Sequence, residues 1–211
     1  GHENTRAFRE TQAVSAALDA LTPLLNESVH SQVGLWYDWD SLWALANSSG
    51  PSNARFRGNF DGCKAEVVAF HRALLANRVN VEFVGPEDRA LSTYKIIILA
   101  ATYLVRPELA QRLADFVAAG GTVIATYLTG QVGESDLCHL GGFPGPLRDL
   151  FGVWAEETHA MPDHDVVQLQ ATDGTGYEAQ HFSELLHAHD AEALAHFTTG
   201  QYTGQPAITC R

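Results

Sequence analysis

The chain has 211 residues, enough to bury a sizeable core, and its 45% hydrophobic content excludes an intrinsically disordered protein. A formal net charge of -12, with only 13 Lys and Arg residues, argues against nucleic acids and anionic membranes as partners. The three cysteines form no CxxC pair, and no apolar run approaches the roughly 18 residues of a membrane span, so we expect a protein of the reducing cytoplasm.

Residues 1–30 are predicted to contain a helix that stands outside the alternation of strands and helices in the rest of the chain. Phe8, Val14 and Leu18 lie at helical spacing, and Pro23 then interrupts the pattern. Such a helix either links this domain to another one or packs on it as a lid. We treat residues 1–30 as a linker helix and residues 31–211 as the main domain.

Three tryptophans lie at the end of the first predicted strand, which covers residues 33–37. Trp36, Trp39 and Trp43 fall within eight residues of one another. Tryptophan gives large, rigid contact areas and is enriched at protein interfaces. Because aromatic rings also stack on the apolar faces of sugars, a sugar-binding module is a second hypothesis for this segment, beside a protein interface.

Asp38 and Asp40 stand between these tryptophans and allow two interpretations. Two neighbouring carboxylates can act as an acid/base pair. We favour a structural role, in which Asp40 caps a short helix over residues 41–46 and Asp38 accepts hydrogen bonds from loop amides.

A loop, a helix and a second strand follow in order. Residues 47–59 are rich in Ser, Gly and Asn, which predicts a loop. Asn59 or Asp61 is expected to cap a helix whose apolar face includes Cys63 as a small core residue. Residues 79–84 alternate in polarity, which predicts a strand more exposed than the centre of a sheet.

The centre of the fold is a predicted β-α-β unit. Residues 95–100 contain three Ile in a continuous apolar run, which is typical of a strand buried on both faces of a parallel sheet. Pro107 opens a helix, a glycine pair at residues 120–121 ends it, and residues 122–126 form the returning strand. We predict an α/β fold with a central, mostly parallel sheet of order 2-1-3-4, to which later strands add.

The carboxyl ends of the strands are where ligands bind in open α/β sheets, and here they lack reactive groups. Residues 101–103 and 127–130 hold no Cys, Ser or Asp on a glycine-flanked turn and no glycine-rich phosphate loop. An independent amidotransferase-like hydrolase is a third hypothesis, and it would need a nucleophile at a strand-to-helix turn. Residues 100–102 offer only Thr102 for that role. We predict no catalytic residue, no cofactor and no metal site.

A segment rich in glycine and proline covers residues 140–152. Pro146 is predicted to start a short helix that Gly152 ends. His139, directly before this segment, could serve as a general base. Since nothing nearby in the sequence would orient it, we favour a hydrogen bond within the loop.

Beyond residue 153 the periodicity weakens. We predict strands over residues 166–170, 193–197 and 205–210, and an amphipathic helix over residues 179–186. Because the last strand has no following partner, we expect the domain to be truncated at its C-terminus. Four late histidines are assigned to a solvated helix end and turn rather than to a metal site: His181, His187, His189 and His196.

Three segments together resemble the middle domain of bacterial β-galactosidases of glycoside hydrolase family 42. They are residues 33–46, residues 94–126 and above all residues 140–152, which read Leu-Gly-Gly-Phe-Pro-Gly-Pro-Leu-Arg-Asp-Leu-Phe-Gly. The resemblance runs to residue 211, with a further similar stretch over residues 202–209. It implies a flavodoxin-like, three-layer α/β/α domain, similar in shape to class I glutamine amidotransferases, that holds three subunits together.

The resemblance also implies the partners. The two catalytic Glu of these retaining enzymes belong to a (β/α)₈ barrel of the same polypeptide. A galactoside substrate is therefore expected to bind to that barrel. A neighbouring subunit could help to close the active-site cleft. We expect a homotrimer of the full-length enzyme, with no nucleic acid and no membrane partner. The candidate interface residues lie at the strand ends and around the glycine-rich segment: Trp36, Asp38, Trp39, Asp40, Trp43, Tyr103, His139, Phe143 and Arg148.

Overall fold

The computed structural model describes residues 2–25, 31–48, 58–88, 90–162 and 164–211. The chain divides into two compact units, Gly1–His30 and Ser31–Arg211. The predicted loop over residues 47–59 lies largely outside the described residues. Within the described residues, no helix has the length and apolar character needed to cross a membrane.

The first unit contains the predicted helix, here α1 (Arg6–Ala20), and a single further turn, α2 (Thr22–Leu25). The hydroxyl of Thr5 accepts a hydrogen bond from the amide of Phe8 at 3.2 Å and so caps α1. The helix ends at Ala20 with Leu21 as its C-cap, two residues before Pro23, where the interruption was predicted.

The second unit is built on a parallel sheet of four short strands: β1 (Val33–Trp36), β2 (Val81–Val84), β3 (Ile96–Leu99) and β4 (Thr122–Ala125). The strand order is β2-β1-β3-β4 and every pairing is parallel. Leu35, for example, lies between Phe83 on one side and Ile98 on the other. The predicted order 2-1-3-4 is confirmed.

Helices cover both faces of this sheet and make three layers. On one face, α5 (Pro107–Ala118) buries Leu113 against Ile97 and Leu99. On the other face, α4 (Phe60–Ala76) buries Val67 against Ile98. Alternate residues of β3 therefore pack into the hydrophobic cores on opposite faces of the sheet, which explains the uninterrupted Ile run. The expected α/β/α layering is confirmed.

Two shorter helices complete the helical part of this unit. They are α3 (Trp39–Asn47) and α6 (Arg148–Phe151), which Gly152 ends in a left-handed conformation as predicted. The amide of Gly62 donates to Asn59 at 3.1 Å, so Asn59 is the cap of α4. Cys63 on α4 is buried in the core, as predicted from its place on the apolar face.

The later strands do not extend the parallel sheet. They are β5 (Val153–Ala160), β6 (Val167–Ala171), β7 (Gly176–Ala179), β8 (Phe182–Ala188), β9 (Glu192–Phe197) and β10 (Pro206–Cys210). β5 and β8 form an antiparallel pair, and the other four form an antiparallel sheet of order β10-β9-β6-β7. The predicted helix over residues 179–186 is wrong, because most of these residues belong to β8. The last strand pairs with the preceding β9 rather than standing alone.

Candidate functional site

The end of β3 has the backbone geometry that active sites on such sheets use, without a reactive side chain. Ala101 adopts a left-handed conformation with a φ of 48°, which is uncommon for a residue with a Cβ atom. Its amide donates a hydrogen bond to the Thr126 hydroxyl at 2.8 Å, which ties the turn to the end of β4. Thr102, the hydroxyl that the hydrolase hypothesis needs, is buried.

The corner beside Ala101 is filled. The cavity there has a volume of about 10 Å³ and is bounded by Trp36, Ser41 and Thr102 among others. A volume of this order has room for about one water molecule, whereas pockets for small ligands measure about 300 Å³ or more. The place where an α/β enzyme binds its substrate is therefore packed with side chains.

Asp38 rather than Asp40 caps the short helix, so the predicted roles of the two residues are corrected. The Oδ1 atom of Asp38 accepts a hydrogen bond from the Asp40 amide at 2.9 Å, and α3 begins at Trp39. An aspartate in the extended conformation directly before a helix satisfies a free amide of the first turn. The sequence allowed either carboxylate to take this role.

Both carboxylates also bind one guanidinium that the sequence analysis missed. Arg106, at the start of α5, donates to Asp38 at 3.2 Å and to Asp40 at 2.5 Å. The side chain of Asp38 is buried, whereas that of Asp40 is half exposed. Since the two oxygens of Asp38 are used by the helix cap and by Arg106, the pair has a structural role and is not arranged for acid/base chemistry.

An aromatic surface lies at the carboxyl edge of the parallel sheet. We use this name for five aromatic residues: Tyr37 directly after β1, Trp39 and Trp43 on α3, Phe60 on α4 and Phe83 on β2. Trp39 and Trp43 are 52% and 54% exposed, and Phe83 is 51% exposed. Trp39 stacks on Phe60 with ring centroids 5.7 Å apart, and Tyr37 meets both Trp39 and Phe83 edge to face. The rings therefore support one another while leaving large apolar areas uncovered.

Two of the predicted interface aromatics do not belong to this surface. Trp36 is 2% exposed, between the sheet and α5, and the guanidinium of Arg112 lies over its ring at 5.7 Å. Tyr103 is 7% exposed and packs in the core with residues of α3. Both residues, together with the buried Asp38, leave almost no area for a neighbour, so we remove them from the candidate interface. The sugar-binding hypothesis named Trp36 as well, and this buried ring is not available to stack on a sugar.

Hydrogen bonds within the domain hold the glycine-rich segment in place. Arg148 donates from Nε to the Gly145 carbonyl oxygen at 3.1 Å and from Nη1 to that of Gly141. The backbone of Phe143 pairs with that of Ala155 on β5, and the side chain of Phe143 is half-buried. Arg148 and Phe143 thus fix the shape of this segment.

His139 holds the same region together. Its Nε2 atom forms a hydrogen bond of 3.2 Å with the carbonyl oxygen of Val105, so the partner lies outside the loop in which the sequence analysis expected it. Gly145, at a φ of 53°, lies against the imidazole, and a Cβ atom there would approach the ring to 2.4 Å. The glycine is needed both for its backbone conformation and for this close approach.

Glu184 on β8 is a partly buried carboxylate that the sequence analysis overlooked. Its Oε1 atom accepts hydrogen bonds of 3.0 Å from the Leu128 amide and from the Thr158 hydroxyl. Burial raises the pKa of Glu184, and the two hydrogen bonds oppose that rise. Burial along β8 does not alternate regularly, so the residue pattern did not reveal the strand, and the wrong helix assignment hid the inward position of this residue.

A larger depression lies beside the glycine-rich segment. It has a volume of about 430 Å³ and is lined by Gly141, Arg148, Asp149, Trp154 and His189. His187 stacks on Trp154, and its Nε2 atom forms a hydrogen bond of 2.7 Å with the Glu156 carboxylate. Among the residues that the structure describes, no three His, Cys, Asp or Glu side chains are grouped as metal ligands would be.

The sequence and the fold match known proteins. Residues 31–211 match the family described as the β-galactosidase trimerisation domain. The chain is 39% identical over its full length to β-galactosidase Pbg of Clostridium perfringens and 38% identical over 99% of its length to β-galactosidase BglY of Alicyclobacillus acidocaldarius. It spans about 30% of the length of each of these relatives.

Solved structures agree with this result. The crystal structure of β-galactosidase from Bacillus circulans sp. alkalophilus superposes with a TM-score of 0.82 at 35% identity, covering 99% of this chain and 31% of that one. Gan42B of G. stearothermophilus, described as a GH42 β-galactosidase, superposes with a TM-score of 0.78 at 28% identity, again over 99% of this chain and 29% of its own. The chain therefore belongs to the β-galactosidase trimerisation domain family, a non-catalytic part of glycoside hydrolase family 42 enzymes.

Proposed function

We propose that this chain joins three copies of a β-galactosidase and takes no chemical part in hydrolysis. The observation that carries the proposal is the family match over residues 31–211, which coincides with the whole of the second compact unit. The filled corner beside Ala101 supports it, because a volume of about 10 Å³ leaves no place for a sugar. The exposed aromatic surface at the same edge is suited to binding another protein.

We assign hydrolysis of terminal β-galactosides to a (β/α)₈ barrel in the same polypeptide. Retaining hydrolysis requires two carboxyl groups about 5–5.5 Å apart on either side of the sugar. Asp38 and Asp40 are the two acidic side chains that follow β1, and both bind the same arginine, so they are not arranged as such a pair.

We also propose a reducing cytoplasm as the location of the protein. The exposed thiols of Cys138 and Cys210 and the relatives of bacterial origin support this location.

Two measurements test the proposal. Sedimentation equilibrium of the full-length polypeptide should give three times the mass of one chain, and a monomer at all concentrations would contradict the trimer. The purified 211-residue chain should leave a chromogenic galactoside intact. Hydrolysis by this chain, after removal of host enzymes, would contradict the non-catalytic role.

A galactoside-binding role is the second candidate, because Trp39 and Trp43 are neighbours and half exposed. Their rings are tilted by 42° and Phe60 covers one face of Trp39, so they form no single flat platform for a sugar ring. Calorimetric titration of the chain with galactose and lactose should therefore show no heat of binding. Saturable heat that is lost in Trp43→Ala would favour this second candidate.

A further inference from the structure

We infer that the aromatic surface is the centre of the contact with the next copy in the assembly, an inference that rests on the proposed function and names its surface. Trp39, Trp43 and Phe83 present about half of their area to solvent. Since a large aromatic side chain buries roughly 150–250 Å², the three rings offer roughly 300 Å² of apolar area in total. Isolated apolar side chains at a surface need no explanation, whereas a contiguous patch of about 300 Å² or more is often a functional surface.

Contacts within the chain hold the aromatic side chains of this surface in place without a binding partner. Trp39 is fixed by Phe60 on one face and by the edge of Tyr37, while Phe83 is fixed by Tyr37 and by the stacked ring of His71 at 5.3 Å. Side chains that are already ordered lose little conformational entropy on binding. This arrangement is the one expected for the anchoring residues of an interface.

The charged side chains that the structure describes next to the surface have partners within the domain. Arg106 binds Asp38 and Asp40, and Lys64 binds Asp61 at 2.9 Å while its ammonium lies 5.3 Å from the Phe60 ring. Each copy carries a formal charge of -12, so two copies repel each other at long range. A contact between them is best made through an apolar area whose ionic neighbours already have partners, because unpaired charges are costly to bury.

The position of the surface favours a second copy over the preceding part of the same polypeptide. The chain enters this unit at Ser31, before the amino end of β1, whereas Tyr37 and Trp39 follow its carboxyl end. A strand of four residues separates the two edges by about 13 Å. Ser31, the first residue of this unit, and the aromatic surface therefore lie at opposite edges of the sheet.

In the trimer, the aromatic surface of one copy contacts a different surface of the next copy. A closed ring of three identical copies uses two different areas on each copy, whereas a surface that binds itself makes a dimer. Stable interfaces bury about 800 Å² on each partner, so the roughly 300 Å² of the aromatic surface supplies the centre and further residues supply the rim.

The test uses the full-length polypeptide with Trp43→Glu, compared with Leu75→Glu as a matched control. Leu75 is 52% exposed on α4, near the end of that helix that leads into β2, so the control places the same charge at the opposite edge of the sheet. In sedimentation velocity, Trp43→Glu should raise the concentration at which the trimer dissociates roughly tenfold or more. Leu75→Glu should leave that concentration unchanged. An unchanged value in Trp43→Glu would overturn the inference and leave the proposed function intact, whereas a monomeric wild type would overturn both.

A second measurement uses the unaltered protein and does not depend on the folding of a variant. Oxidative footprinting reports how accessible each indole is, and it can be run above and below the dissociation concentration. Trp39 and Trp43 should be protected in the trimer and become reactive on dissociation. Equal protection in the monomer would show that another part of the same polypeptide covers the surface, and equal reactivity in both would show that nothing does. Either result overturns the inference.

Discussion

The carboxylate of Glu184 and the backbone amide of Leu128 form a hydrogen bond of 3.0 Å that joins the β5–β8 pair to the turn after β4. Leu128 has a φ of 59°, so its amide belongs to a turn in an uncommon conformation for a residue with a large side chain. The same oxygen of Glu184 holds the Thr158 hydroxyl. One side chain thus connects the parallel and the antiparallel parts of the domain.

Replacing Glu184 with alanine should destabilise the domain. Glu184→Ala leaves the Leu128 amide and the Thr158 hydroxyl without their acceptor, which should lower the free energy of unfolding by about 1–3 kcal/mol. Glu192→Ala, at an exposed position on β9, should change it by less than about 0.5 kcal/mol. Urea denaturation of the three proteins measures these values, and equal effects of the two substitutions would contradict the assigned role.

The pKa of Glu184 predicts a pH dependence of stability. Burial raises the pKa of Glu184 above its usual 4.5, so the folded chain keeps this proton at pH values where the unfolded chain has lost it. The protonated carboxyl therefore favours folding at low pH, and this contribution is lost as the pH rises from about 4.5 through the folded-state pKa. Glu184→Gln cannot ionise, so its unfolding free energy relative to wild type should increase with pH over this window. A difference that stays constant with pH would contradict the raised pKa.

The two aspartates bound to Arg106 should differ in their importance. Asp38→Ala removes the cap of α3 and one partner of a partly buried arginine, which should cost about 2–4 kcal/mol of unfolding free energy. Asp40→Ala removes a half-exposed partner and should cost less than about 1 kcal/mol. Thermal unfolding of both variants provides the comparison. A larger loss in Asp40→Ala would restore the sequence-based assignment of the cap.

Gly130 and Gly174 form a matched pair for the packing of the glycine-rich segment. Both have positive φ angles, but a Cβ atom at Gly130 would approach the Pro144 carbonyl oxygen to 2.5 Å, whereas none would meet another atom within 4 Å at Gly174. Gly174→Ala should cost only the backbone strain, about 1 kcal/mol. Gly130→Ala should cost about 1–3 kcal/mol more, because the backbone of the segment has to move. If denaturant unfolding gave equal losses of unfolding free energy for the two variants, the glycine-rich segment would be able to shift without an energetic cost.

The parallel sheet was predictable because its signals are local. The Ile run of β3 packs against both covering helices, and Pro107 lies in the first turn of α5 as expected. The antiparallel part was harder, because β8 carries Glu184 on an inward position and pairs with β5, which the sequence analysis did not identify. A polar residue that is satisfied only by distant partners weakens the alternation on which strand prediction depends.

The sequence did not separate the exposed members of the candidate interface from the buried ones. Exposure separates Trp39 and Trp43 from Trp36, although all three follow one another in a short segment. The direction of a side chain at the end of a strand depends on what covers the sheet, and Leu147, from the distant glycine-rich segment, belongs to the core that encloses Trp36. No local pattern contains that information, and the same holds for the pairing of Arg106 with Asp38, which are 68 residues apart.

The left-handed turn at Ala101 limits what this domain can become. Ala101→Cys would place a thiol on a backbone that suits a nucleophile, yet the neighbouring cavity of about 10 Å³ would still admit no substrate. Hydrolytic chemistry at this edge would therefore require the removal of bulk around Trp36 and Thr102 before a reactive atom becomes useful.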